Sequence, residues 1–453
     1  MPDRILSSAG EPWLDRRIVM FPLWFFQAYL AFTVFLFAFG PWPWPVPDPL
    51  LLYVFLLLAQ WALWLGYKTA AGSRPGGYRG RWTAVRLIKV SLALNIACII
   101  PNFILRMGRR PAGLSDILIS VYTGLVNPAA NYAARSQALA ESAKRGAIEY
   151  AVLFLYPALW LLVPLAIVYW NRLKLGHRIL IIAFIIVDLL SWVAIGTNKG
   201  IADFIMIFSW LLVAANPRVL RLDFRGRALK VLAVSLMMIV LFLGFFAAGQ
   251  KGRAGGEIPT SDAALAIRLD KENWLVRRLS PKGTGIVAAA TSYLGQGYCA
   301  LSLALKEPFR WSYGAGNSFF LTNLVERFAG QDVVSNRTYP ARIEKSGMMR
   351  YSHWHTFYTW MASDVSFPGV LVVMFLVGRL FALTWLDVLR KDNPFAPALF
   401  ALMIIMLFYI PANNQVLGYV GMANAFWVIG IIWALTRKYY YLAPVSAGSG
   451  RHE

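Results

Sequence analysis

Residues Gly283–Leu305 read GTGIVAAATSYLGQGYCALSLAL, twenty-three positions without a charge and rich in glycine and other small residues. A membrane span needs roughly 20 apolar residues, so this stretch is long enough, and whether it crosses decides the sidedness of everything after it. Its surroundings argue against a crossing. Ten other runs have the length and apolarity of spans: about 18–40, 49–67, 86–105, 149–170, 179–195, 202–215, 230–248, 368–386, 395–411 and 416–436. Segments 68–85, 171–178, 216–230 and 387–394, with both termini and the adjoining span ends, carry 22 of the 44 Lys and Arg residues. The positive-inside rule makes these segments cytoplasmic, with both termini cytoplasmic. Ten spans satisfy that parity. An eleventh at 283–305 would turn Arg390, Lys391, Arg437 and Lys438 outward. The stretch therefore reads as a re-entrant or membrane-surface segment. Non-helical backbone at that depth is tolerated where it lines a protein cavity, so the reading also predicts a cavity.

Composition agrees. The 453 residues are 58% hydrophobic and 15% charged, with mean hydropathy +0.54, against about 45–50% and about 25% in soluble domains. A soluble enzyme and a disordered chain are both excluded, which leaves an all-α integral membrane protein forming one polytopic domain over 1–453. Asp3, Arg4, Glu11, Asp15, Arg16 and Arg17 precede the first span with no small-residue cleavage pattern after it, so the start does not read as a cleavable signal. Trp42 and Trp44 among prolines read as an interfacial aromatic turn. Cys98 and Cys299 are too few for a disulfide framework; one bridge between them stays open.

The formal charge of +22 divides by side. Apart from Arg379 in the eighth span, the other 21 basic residues fall outside: six in a first outer loop, 106–148, then Lys199, and fourteen in a long outer loop, 249–367. Two readings fit. Long loops translocate regardless of charge, or the arginines serve an extracytoplasmic site for an anion, since guanidinium groups bind phosphate bidentately. The 249–367 loop is the only extramembrane segment large enough to carry a site. Within it, Asn317–Ala329 has helical apolar spacing and reads as a second surface helix.

His353 and His355 sit in MMRYSHWHTFYTWMASD (Met348–Asp364). They read either as incidental members of an aromatic belt or as a general base near neutral pH. Their spacing does not suit a helical metal pair and no third ligand lies near, so no metal site is expected. His177 and His452 read as solvated. Arg277, Arg278, Lys282, Arg310, Arg327, Arg337, Arg342 and Arg350 are singly unremarkable, but as a set they could neutralise a lipid pyrophosphate. In Gly196–Gly200 (GTNKG), a helix terminus and Lys199 could meet phosphate, or Lys199 simply snorkels. Asp188 and Arg379, inside apolar runs, need polar partners. A phosphate-binding loop, a dinucleotide fingerprint, a catalytic-serine motif and an aspartate-rich sugar-nucleotide site are all missing, which argues against cytoplasmic nucleotide-dependent chemistry.

Three segments, together roughly a fifth of the chain, resemble the O-antigen polymerase and ligase superfamily. Tyr293–Gly316 (YLGQGYCALSLALKEPFRWSYGAG) is similar to its Tyr/Gly-rich stretch ending in Gly-x-Gly. His355-Thr-Phe-Tyr358, followed by Asp364 and Gly369, is similar to its His-Asn-x-Tyr and small-residue pattern, with Thr356 in place of Asn and Pro368 before the glycine. Arg135 and Gly146 fit its Arg-x10-Gly spacing, without a second copy. The resemblance implies a metal-independent, cofactor-free membrane glycosyltransferase of the GT-C-like helical type in a bacterial inner membrane. It would polymerise undecaprenyl-pyrophosphate-linked repeat units on the periplasmic face, with His355 or His353 catalytic. Arg135, Arg277, Arg278, Arg342, Arg350 and Lys199 would bind the pyrophosphate, and Tyr298 and Tyr358 the substrate. Expected partners are lipid-linked glycans, membrane lipids, a chain-length regulator and a flippase, not nucleic acid. A ligase moving glycan to lipid A core, and a transporter or flippase for an anionic lipid or solute, remain as alternatives.

Overall fold

The computed structural model describes residues 15–141, 147–221, 237 and 260–438. The expected seventh span, Gly146 and His452 lie outside them. The described chain is almost wholly helical, and five helices are long and apolar enough to cross a bilayer, six if one bent pair is a single span.

Helix α1 (Arg16–Phe39) begins at Asp15, whose carboxylate accepts from the Arg17 amide at 3.0 Å. Helix α2 (Pro49–Ala71) begins at Asp48, capping Leu51 at 3.1 Å, with Pro49 where its missing N–H is not needed. Both are apolar around most of their circumference. Each buries one side and leaves residues such as Phe35, Leu57 and Trp61 exposed, as a span facing lipid does. The expected 86–105 span is broken: α3 (Ala84–Ala97) and α4 (Ile99–Met107) meet at 56°. Pro101 has no N–H for the Ala97 carbonyl, which ends the first ladder there. The first outer loop is itself helical, as α5 (Leu114–Val126) and α6 (Pro128–Glu141), and α5 packs on α9. Then follow α7 (Ala147–Trp160), α8 (Leu162–Val168), α9 (Leu175–Ala194) and α10 (Lys199–Ala215). After a hairpin of Ser261–Asp262 with Ile267–Arg268 come α11 (Pro281–Ala304), α12 (Phe319–Ala329) and α13 (Tyr339–Arg342). The last three helices are α14 (Phe357–Arg390), α15 (Ala396–Tyr409) and α16 (Val420–Thr436). Helices α2 and α14 form the most extensive pairing. At Gly66 a Cβ would lie 1.9 Å from the Phe375 carbonyl oxygen, so only glycine allows this approach.

The bundle has two distinct ends. At one, the Tyr67 hydroxyl donates to the Val19 carbonyl, Tyr169 to Lys391, and the Lys391 ammonium to Ala215. The basic segments expected on one side thus gather together. At the other lie the 40–48 turn, the 349–356 segment and the 410–419 loop.

The Gly283–Leu305 stretch, expected as a re-entrant or surface segment, forms a continuous helix, α11. Ser280 caps it and Pro281 sits in its first turn, and its small residues permit close packing. It does not run the length of the bundle. Near one end the Ala288 carbonyl accepts from the Trp42 indole at 3.0 Å, and just past the other the Lys306 ammonium meets Asp48 at 2.8 Å. Both ends therefore rest on the 40–48 turn, and α11 lies across the end of the bundle. Trp42 and Trp44 stack on each other and are buried beneath it rather than forming an interfacial turn. Cys98 and Cys299 are both free and buried.

At the basic end, Asp387 in the last turn of α14 is fully buried. Its carboxylate accepts from Arg437 at 2.8 and 3.1 Å, from the Trp433 indole at 2.9 Å and from the Gly76 amide. This joins α14, α16 and the antiparallel pair Gly77–Tyr78 with Arg437–Lys438. Asp387→Ala strands a buried guanidinium and is expected to lose about 3–5 kcal/mol, while Asp387→Leu with Arg437→Met regains most of it. Unfolding midpoints in detergent measure this, and an unchanged midpoint for Asp387→Ala would contradict it.

Candidate functional site

One carboxylate gathers the 312–317 part of the long loop onto the start of α14. Asp364, 8% exposed, accepts from Ser312 Oγ, the Gly316 amide at 3.0 Å, the Asn317 amide at 2.9 Å and Asn317 Nδ2 at 2.6 Å. The loop side is held in turn by the 410–419 loop: Asn414 Nδ2 donates to the Asn317 carbonyl at 2.9 Å and Phe319 N to Gly418 at 3.1 Å. From the other flank, Gln296 of α11 accepts from the Trp354 amide at 2.8 Å, and the Tyr293 ring packs on Trp354 at 4.7 Å. A Cβ at Gly297 would lie 2.0 Å from the Pro411 carbonyl oxygen, so α11 presses directly on the 410–419 loop. The 349–360 segment sits in the resulting frame.

His355 lies at the centre, 1% exposed. Its Nε2 is 3.3 Å from the Met349 carbonyl and so carries the proton, while the buried Nδ1 has no hydrogen-bond partner. Burial pushes its pKa from the usual 6.5 down to about 4, opposed by the Met349 bond and reinforced by His353 and Arg350. The ring is neutral at pH 7, with a free lone pair. His353 is different. Its Nδ1 accepts from the Met349 amide at 2.9 Å, so Nε2–H donates to Asp262 at 3.2 Å. Both ring nitrogens are engaged, and the residue ties the 261–268 hairpin to the site. Of the two histidines, His355 alone keeps a ring nitrogen without a hydrogen-bond partner.

Arg350 is the expected cation nearest His355. Its buried Nε makes no hydrogen bond, the Glu344 carboxylate stands 3.9 Å away, and the guanidinium lies 4.5 Å from the Tyr351 ring centre. Trp360 Nε1 and Gln415 Nε2 are likewise buried without partners, and the Trp360 ring meets the His355 ring edge-on at 5.9 Å. The neutral imidazole thus shares its surroundings with an arginine and with N–H groups held away from water.

The other expected residues disperse. Arg135 and Lys199 form a separate group: Arg135 Nε donates to the Arg106 carbonyl at 2.7 Å, Lys199 pairs with Asp203 at 3.0 Å, and both adjoin Tyr419. Arg342 is consumed by Glu307 at 2.8 Å and the Pro308 carbonyl at 2.6 Å. Arg277 and Arg278 are exposed on a turn fastened to Phe39 by Asn273 and Trp274. Tyr298 and Tyr358 are core residues, not substrate contacts: Tyr298 pairs with Thr33 at 2.8 Å, and Tyr358 packs on Phe55. Asp188 pairs with Arg106 at 2.8 Å and Arg379 leans on Thr69, so those two do not meet each other. Among the described residues no three His, Cys, Asp or Glu side chains converge to hold a metal ion. Gln296, Asn317, Asp262 and Gln415 were not singled out from sequence; the three neutral amides carry no charge pattern to betray them, and Asp262 lies some ninety residues from the histidine it meets. Comparison with protein-family models, curated proteins and solved structures finds no match.

The neutral histidine sets a pH dependence. Unfolded, His355 binds a proton below about 6.5; folded, only below about 4. Its contribution to stability is complete above pH 6.5 and is lost as pH falls toward 4, up to about 3 kcal/mol. Unfolding midpoints from pH 4.5 to 8 are expected to decline less steeply for His355→Gln than for the wild type, and parallel curves would refute the buried neutral ring.

Proposed function

We propose that this chain is a bacterial inner-membrane glycosyltransferase that polymerises undecaprenyl-pyrophosphate-linked repeat units on the periplasmic face, with ten spans and both termini cytoplasmic. The observation that carries the reading is convergence. The Tyr/Gly-rich stretch, and the His355–Tyr358 segment with Asp364, two of the three segments that resemble the polymerase and ligase superfamily, are hydrogen-bonded into one frame around one buried neutral histidine, while Arg135 lies in a separate group.

The chemistry assigned to this frame needs few groups. The hydroxyl of an incoming unit approaches His355 Nδ1, which accepts its proton as the oxygen attacks the anomeric carbon of the donor. That C–O bond forms while the bond to the pyrophosphate oxygen breaks on the opposite face, with inversion. The electron pair leaves on the pyrophosphate. Arg350, with an N–H not otherwise committed, faces the departing charge, and a preorganised donor of this kind can supply about 3–4 kcal/mol. A low basicity suits His355 before the anion arrives, and a pyrophosphate beside it favours the protonated ring, so proton uptake follows leaving-group binding. Indole and amide N–H groups of Trp360 and Gln415 can hold sugar oxygens in place.

Reconstituted with lipid-linked units alone, the wild-type protein is expected to yield a ladder of products. His355→Ala lowers the rate on the order of 100-fold or more, the range for loss of a general base. Arg350→Ala lowers it comparably, and His353→Ala falls less and mainly through stability. A full ladder from His355→Ala removes the histidine from the chemistry. Product formed only when a lipid A core acceptor is added identifies a ligase instead.

A further inference from the structure

The head of α10 holds a second cluster of buried polar groups that the transfer step does not use. Thr197, Asn198 and Asp203 are 9%, 8% and 6% exposed. Thr197 Oγ1, both Asn198 side-chain atoms and Asp203 Oδ1 are buried without hydrogen-bond partners. Lys199 closes one edge, bonded to the other Asp203 oxygen at 3.0 Å and lying over the rings of Trp192 at 5.6 Å and Tyr419 at 5.9 Å. Tyr409 lies within hydrogen-bond reach of the Asp203 carboxylate, and Tyr419 is close enough to feel its charge.

The chemistry of these atoms selects a ligand. Lys199 and Asp203 cancel one another, and the free Asp203 oxygen repels an anion, so phosphate is disfavoured despite the lysine and the helix terminus. The ammonium beside the same oxygens disfavours a metal cation. The uncommitted atoms are an amide donor, an amide acceptor, a carboxylate oxygen and a hydroxyl. Sugar hydroxyls each donate and accept, and so match this set. Buried polar groups without partners are costly, so a ligand that satisfies several at once is favoured over one that satisfies none.

We propose that Thr197, Asn198 and Asp203 form a binding site for the hydroxyls of an uncharged sugar, and, resting on the transferase reading, that this sugar belongs to the acceptor unit. The cluster adjoins the transfer site through one loop. Tyr419 stands beside Asp203, its hydroxyl 3.5 Å from Asn413 Nδ2, and the Ile410 carbonyl at the other end of that loop accepts from Phe357, two residues past His355.

The test uses the full chain in lipid nanodiscs and two separate probes, inorganic pyrophosphate and the oligosaccharide released by mild acid from the host cell's own lipid-linked units. Calorimetric titration is expected to show that Asn198→Ala binds the oligosaccharide about tenfold more weakly, as for the loss of one or two hydrogen bonds, with pyrophosphate affinity unchanged. Because the Asn198 amide makes no bond in the fold, its removal should leave Tm unchanged or raised. Asp203→Asn, which keeps the shape, should also weaken the oligosaccharide. Undiminished oligosaccharide affinity in both variants, or no binding to the wild type, overturns the proposal and leaves a cluster satisfied by water; loss of pyrophosphate binding instead makes it an anion site and overturns it equally. His355→Ala separates this from the transferase reading, since it should abolish the ladder while leaving oligosaccharide affinity intact. A surviving ladder defeats the transfer chemistry without touching the sugar site.

Discussion

The junction within α14 governs the geometry of everything at its end of the bundle. A helix of 34 residues, Phe357–Arg390, is interrupted at Ser366, where φ is 65° and ψ 167°, a region that residues with a Cβ rarely enter, at about 1–3 kcal/mol. Pro368 has no N–H to return to the Asp364 carbonyl, so the ladder fails where the backbone turns. Asp364 lies two residues before the break, and its carboxylate gathers Ser312, Gly316 and Asn317. The membrane-side portion of α14 packs along α2, while the first nine residues are aimed by the long loop. A straight helix would place Asp364 and His355 elsewhere, and the loop would lose the carboxylate that fastens it.

The outer excess of arginine looks different once partners are assigned. Arg109 binds Asp116, Arg106 binds Asp188, Lys199 binds Asp203, and Glu307 serves both Arg342 and Lys345. These pairs engage five of the basic residues of these segments, and the Arg106 and Arg342 pairs join separate stretches of chain. Arg350 stands out because its closest carboxylate is beyond hydrogen-bond reach and it lies beside a neutral histidine. The charge that bears most directly on His355 is the Arg350 guanidinium beside it, whatever the total.

The apolar runs were legible because a span needs only length and the absence of charge, and both survive any packing arrangement. The boundary near 368 was legible for the same reason: Pro368 and the apolar run after it mark where lipid-depth helix begins. The seat of 283–305 was not, because the Trp42 and Pro411 carbonyl contacts that hold α11 come from residues far away in sequence. His353 and His355 could not be separated by sequence, since their difference lies in whether Asp262, some ninety residues earlier, reaches one ring. The amides at both polar clusters left no trace, because Asn198, Asn317 and Gln415 differ from solvated residues only by what surrounds them.

Both clusters end on the same short connection between α15 and α16. Ile410 holds the start of α14, Asn414 and Gly418 hold the 317–319 segment, and Tyr419 meets Arg135 and Lys199. Its sequence, IPANNQVLGY over 410–419, is polar in the middle yet almost wholly buried, a combination that is stable only when its amides are bonded. Because Ile410 holds Phe357 and Asn414 holds Asn317, a shift of this loop at one cluster moves bonds at the other. A shift of this loop at the α10 cluster would therefore bear on the position of Phe357 and, through it, of His355.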